Sequence, residues 1–311
     1  MILEQAFTHL PEVLHGSGYQ QQSYEAGIVG AFALAVLQAL NGRNVANPIA
    51  CMQFERQFRA GGKYTGLEKA RYLRADLFVD IERLYVANRR LAQYGWRHDS
   101  WIEAKFLRNQ AGDGTSHSGN KTAHTASFIA DIIRLAALVP ETKSKYSSHG
   151  RYFLHVYDAD PKFYLTVTTR DWAKAICTPG SQSIKIDAID ALPPTIRRLL
   201  GEFRDLSVSA EITTSAITPT NTTHRPCYWM YLTRLDDVKV QWGTHSFHVA
   251  SDRKVTMSSD GALDLIAAYV AETIHVAVAS AEEEPPAEES VAGEDVEPPA
   301  NEEDIREVDS V

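Results

Sequence analysis

Cysteine is scarce in this 311-residue chain: Cys51, Cys177 and Cys227 are too few and too far apart for a disulfide framework or a four-ligand zinc site. A reducing, cytoplasmic setting is the simplest expectation. Long hydrophobic runs are missing as well. The longest, residues 28–37, is about half of the roughly 20 residues that a membrane helix needs, and residues 1–11 carry no basic leader segment, so neither secretion nor membrane insertion is expected. There is no Walker A motif, zinc finger, recognisable sequence-reading module or internal repeat, which removes P-loop nucleotide hydrolysis, the common DNA-reading helices and solenoids from consideration.

What is present is a chain with 44% hydrophobic and 23% charged residues, enough apolar surface for one large domain or two smaller ones. Its net charge of −9 is unevenly placed. Residues 281–311 hold thirteen acidic groups against Arg306, a net of −12, so the preceding 280 residues are net +3 and able to meet nucleic acid. The acidic segment has four prolines and no aromatic residue, and it is expected to be disordered, as a solvating extension or an arm that competes for a basic surface.

Period and punctuation predict a buried helix over residues 24–40 that leaves through a left-handed turn at Asn41-Gly42. A strand over 48–58 follows, then a glycine-bearing turn. Clean alternation over 74–85 and 101–107 predicts two half-buried strands, with Asp76 on the face of Phe78 and Asp80, and Glu103 on the face of Lys105. A helix over 121–139 and a strand over 151–157 complete the order helix, strand, strand, strand, helix, strand, in which the last strand must return through a helical crossover. The later part is less regular: a helix near 194–203, strands at 207–217 and 227–232, a short hairpin and a helix at 261–274. The expected architecture is an α/β core over residues 1–165, an appended α+β unit over 166–280 and the acidic tail over 281–311.

Hydrolysis of a phosphodiester calls for a divalent cation on the phosphate, an activated water and a cation near the charge that develops on oxygen. If the second and third strands are neighbours, Asp76 and Glu103 face one cavity, with Lys105 beside Glu103 to orient or deprotonate the water. Hard oxygen donors select Mg²⁺, with Mn²⁺ able to substitute, and the Ala104 carbonyl is a further oxygen ligand. Ala75-Asp76 followed by Glu103-Ala104-Lys105 resembles the signature of the PD-(D/E)XK nuclease superfamily over residues 20–160, with Ala75 where proline is usual. The resemblance implies a restriction-endonuclease-like αβββαβ core with a mixed sheet, metal ligands at Asp76 and Glu103, and a catalytic lysine at Lys105. It also implies a Mg²⁺-dependent deoxyribonuclease of the kind that works in restriction or anti-phage defence, often beside a separate ATPase or recognition subunit, or as a homo-oligomer. Glu25 stands where some members add a glutamate from the first helix, although its place in a first helical turn already has a dipole explanation.

An acid-x-lysine triplet arises roughly once or twice by chance in a chain this long. Glu141-Thr-Lys143, Asp160-Pro-Lys162 and Asp252-Arg-Lys254 are such matches in turn-like settings. Asp237-Val-Lys239, strand-like and with Glu211 upstream, is the serious rival, but it lacks the flanking helices. Backbone contacts to nucleic acid are expected from Arg56, Arg59, Lys63, Arg71, Arg74, Arg108 and Lys121. Tyr228, Trp229 and Tyr231 suit base stacking, but are more often core residues. The alternative function is a catalytically idle adaptor on the same fold, docking a protein partner or nucleic acid.

Overall fold

The computed structural model describes residues 2–16, 24–57, 74–80, 99–107, 121–137, 149–165, 171–187, 198, 207–219, 228–242, 245–249 and 255–257. The helices expected near 194–203 and 261–274 and the acidic tail lie outside these residues. In chain order the elements are α1 (Ile2–Gly16), α2 (Glu25–Asn41), β1 (Met52–Gln57), β2 (Arg74–Asp80), β3 (Asp99–Leu107), α3 (Lys121–Ala137), β4 (His149–Tyr157), α4 (Asp171–Ile176), β5 (Gly180–Asp187), β6 (Ser207–Ile217), β7 (Trp229–Trp242), β8 (His245–Val249) and β9 (Val255–Met257).

These make a mixed sheet in the order β1-β2-β3-β4-β7-β6-β5, with β8 and β9 attached beyond β7. The pair β3/β4 is parallel, and α3 supplies the crossover that a parallel pair requires. Every other pair is antiparallel. The strands expected to form an appended unit instead continue the same sheet, because the 14-residue β7 pairs with β4 on one side and β6 on the other.

Two apolar layers sandwich this sheet. On one face α1 and α2 pack over Leu77, Ile102, Ala104, Leu154 and Leu232. On the other, α3 and α4 cover Phe153, Tyr157, Ile184, Val208 and Leu235. Tyr228 and Tyr231 are buried and Trp229 packs against the core, which assigns those aromatics to structure rather than to base stacking. Phe32 of α2 and Phe128 of α3 are fully buried, and truncating either to alanine costs about 3–5 kcal/mol.

α1 is not among the elements expected from the sequence, since Pro11 removes a helical N–H from its interior. It forms because Ile2, Leu3, Phe7, Leu10 and Leu14 give it a continuous buried stripe against α2. The α2 exit also differs from expectation. Gly42 stays right-handed (φ −60°) and donates its N–H to the Gln38 carbonyl, while the left-handed turn falls on Asn44 (φ 57°), a residue type that tolerates it. The expected strand at 48–58 begins as a 3₁₀ turn, Pro48–Cys51, before β1.

Within the core, His155 lies between Phe153 and Tyr231 and pairs through Nδ1 with the Tyr157 hydroxyl and through Nε2 with Thr233 Oγ1. Burial pushes its pKa down to about 3, so it is a neutral member of a hydroxyl network.

Candidate functional site

The site grows from a departure in the β2/β3 ladder. Pairing runs from Asp80↔Asp99 to Leu77↔Ile102, a register that would next set Asp76 across from Glu103 and then Ala75 across from Ala104. Instead the Ala104 N–H donates to Asp76 Oδ2 at 2.6 Å. The carboxylate replaces a backbone partner and is thereby fixed beside the residue that separates Glu103 from Lys105. Ala104 thus contributes its N–H to the site.

Alternation along β3 gives Glu103 and Lys105 one face. Glu103 is 2% exposed. The Lys105 ammonium reaches Glu25 Oε2 at 3.0 Å and Asp131 Oδ2 at 3.1 Å, with its side chain 16% exposed and that of Asp131 2% exposed. These contacts join four elements: α2 supplies Glu25, β2 supplies Asp76, β3 supplies the Ala104 N–H and Lys105, and α3 supplies Asp131. Glu25 therefore does more than complement a helix dipole, and α2 begins at Tyr24 without a side-chain cap.

Sequence reasoning missed Asp131. The signal was available, since it sits three residues after Phe128 and four before Leu135, on the apolar stripe of α3, where an acid requires a partner.

The charges act on one another. Burial pushes the Asp76 carboxyl up to about 6; the Ala104 N–H opposes this, and the nearby Glu25 and Asp131 carboxylates add to it. For Lys105, burial alone would favour the neutral amine, but Asp131 and Glu25 outweigh it and hold the ammonium above the usual lysine range. The lysine as it stands is a hydrogen-bond donor and a positive charge, not a base.

Across β1 from Asp76 lies Glu55, bracketed by the pairs Phe54↔Leu77 and Arg56↔Ala75 and held at φ 51°, a conformation uncommon for a non-glycine residue. The alternation of β1 is broken there. The Arg56 guanidinium sits 3.8 Å from the Phe78 ring centroid and 5.3 Å from that of Trp101, over a small cluster of Ala75, Phe78 and Trp101. Arg74 opens β2 and is partly buried. Arg59, Lys63, Arg71 and Arg108 lie outside the described residues, as does the side chain of Lys121.

Of the other triplets, Asp160 accepts from the Lys162 N–H at 3.0 Å and pairs with the Lys162 ammonium at 3.1 Å, so Asp160-Pro-Lys162 is a local cap. Among the described residues no group of three or more His, Cys, Asp or Glu side chains is arranged as a ready-made metal cage. No protein-family profile, curated protein sequence or solved structure matches the chain.

Proposed function

We propose that this chain is a metal-dependent nuclease that hydrolyses phosphodiester bonds, with DNA as substrate, built on a restriction-endonuclease-like core formed by α2, β1, β2, β3, α3 and β4. The observation that supports this reading is the convergence of acids from α2, β2 and α3 on the Glu103-Ala104-Lys105 segment, with Asp76 fixed by the Ala104 N–H and Lys105 fixed between Glu25 and Asp131. A group of carboxylates in which burial, aided by the nearby Glu25 and Asp131, raises Asp76 to about 6 is a set of hard oxygen donors suited to a small divalent cation.

Asp76 and Glu103 would hold Mg²⁺ or Mn²⁺, with Glu25 as a further oxygen donor. Once bound, the cation supplies charge neutralisation at the phosphate and a more acidic water. The chain's own part is positional. The Ala104 N–H orients Asp76, the Lys105 ammonium donates to the attacking water or the phosphoryl oxygen, and Asp131 keeps that ammonium in place and charged. Arg56 on β1 and Arg74 on β2, the strand that carries Asp76, suit contacts to the phosphate backbone. A role in restriction or anti-phage defence, with an ATPase, a recognition subunit or a second copy, extends the same reading.

The adaptor reading is favoured by one specific observation, that Lys105 is already neutralised by two carboxylates. Plasmid and single-stranded DNA incubated with the purified chain in Mg²⁺, Mn²⁺ or chelator separate the two readings. Metal-dependent cleavage that disappears in Lys105→Ala and Glu103→Ala supports the nuclease. Absence of cleavage, or equal activity in the wild type and both variants, overturns it.

A further inference from the structure

The rival triplet Asp237-Val238-Lys239 lies in β7, away from the cluster around Lys105, and the structure gives it surroundings of its own. Directly opposed residues of neighbouring strands share a face. The registers Lys185↔Ser209, Ser209↔Lys239 and Lys239↔His248 therefore draw one row of hydrogen-bond donors across β5, β6, β7 and β8. At roughly 4.8 Å per strand the row is about 14 Å long. A second, acidic row runs beside it: Glu211, which accepts from Ser183 Oγ at 2.6 Å, and Asp237, which accepts from His248 Nε2. The opposite faces of these strands bury Ile184, Ile186, Val208, Ala210 and Val238. The two rows border a groove of about 380 Å³.

Asp237 shows that the groove is built at some cost. The β6/β7 register slips between Ser209 and Glu211, so that Asp237 and Val238 together oppose Ala210, and Asp237 takes φ 46°. That is the bulge position for which glycine is the unstrained choice. Glycine would turn the strand as well; what aspartate adds is the carboxylate on His248. Among the described residues, two of the three non-glycine residues with positive φ lie inside strands, Glu55 across from Asp76 and Asp237 here, whereas Asn44 sits in a turn. Backbone strain held within a regular element is characteristic of a ligand clamp.

The geometry points to a binding site for a sugar phosphate. The phosphate accepts from Lys239, Lys185 and Ser209, and the sugar hydroxyls donate to Glu211 and Asp237. The adjoining acids make a bare polyanion a poorer occupant than a small ligand that carries both an anion and hydroxyl groups, and the groove volume falls in the range of small-molecule sites.

Calorimetric titration of the full chain with ribose 5-phosphate, inorganic phosphate and ribose tests this. Ribose 5-phosphate is expected to bind saturably and at least about tenfold more tightly than inorganic phosphate, with ribose alone showing no saturation. Lys239→Ala weakens both phosphates about tenfold, and Glu211→Gln weakens ribose 5-phosphate alone. Asp237→Gly separates clamp from scaffold: it melts about 2 °C or more above the wild type and binds ribose 5-phosphate at least tenfold more weakly. No saturable binding of ribose 5-phosphate, equal binding of inorganic phosphate, or an Asp237→Gly chain that binds normally or melts below the wild type overturns the assignment. None of these measurements involves cleavage, so the outcome is independent of the nuclease reading.

Discussion

Two segments of this chain spell acid, any residue, lysine within a β-strand, and the fold treats them differently. Glu103-Ala104-Lys105 lies between helices that each bring an acid, so its lysine is sequestered between Glu25 and Asp131 and its neighbour Asp76 is desolvated. In Asp237-Val238-Lys239 the lysine stands exposed in a row of donors, and its acid is spent on a histidine from the next strand. The three letters are the same, and the chemistry comes from what lies above them. Where helices close over a strand, charges are forced to act on one another; where they do not, water screens them and the residues are left to meet a ligand.

The contrast can be broken most sharply by activity. Lys105→Ala and Glu103→Ala are expected to lose at least about 100-fold of metal-dependent DNA cleavage, whereas Lys239→Ala stays within about twofold, all read on the same plasmid and single-stranded substrates. Comparable losses at both triplets would show that helix coverage does not distinguish them.

Protonation gives the next largest effect. Asp76 binds its proton more tightly in the folded chain (about 6) than at its ordinary value of 3.8, so ionising it costs the fold. Its contribution to stability is greatest below pH ~4, is lost as pH rises to ~6, and is flat above, a change of about 3 kcal/mol. In chelator, Asp76→Asn should match the wild type near pH 4 and exceed it by up to that amount at pH 7, measured by denaturant unfolding at each pH.

Removing one partner of the buried lysine ranks third. Asp131→Ala should destabilise by about 2 kcal/mol, less than the full loss of a buried ion pair because Glu25 remains, and Lys105→Met in the same chain should restore most of it. The matching change on the exposed face, Glu211→Ala, should cost about 0.5 kcal/mol or less. Smallest is the relief of strain. Glu55→Gly should stabilise by about 0.5–1 kcal/mol while lowering cleavage, which would give the two left-handed strand residues one explanation.

Much of the first half of the fold was legible because its signals are local. Alternation in β2 and β3, the all-round apolar α2 and the helical spacing of Phe128, Ile132 and Leu135 each follow from a few neighbouring residues. That Asp76 meets the Glu103-Ala104-Lys105 segment follows from strand adjacency, whereas Glu25 was indicated only by the family resemblance. Tertiary packing hid the rest. Pro11 argues locally against a helix that α2 rescues, and the partner of Asp131 is 26 positions away along the chain. Arg56 reads as a phosphate contact, yet the left-handed Glu55 before it coincides with a guanidinium laid over Phe78. That β5, β6 and β7 extend the first sheet was not legible at all, since nothing near residue 230 names β4 as its neighbour.

The β4/β7 seam has a practical corollary for anyone wishing to study the halves apart. A chain severed after Leu165 would leave β4 with a bare row of amide and carbonyl groups from Arg151 to Tyr157, and with Leu154 and Val156 at a raw margin. An unpaired margin of that kind recruits other copies, so such a fragment should precipitate rather than fold.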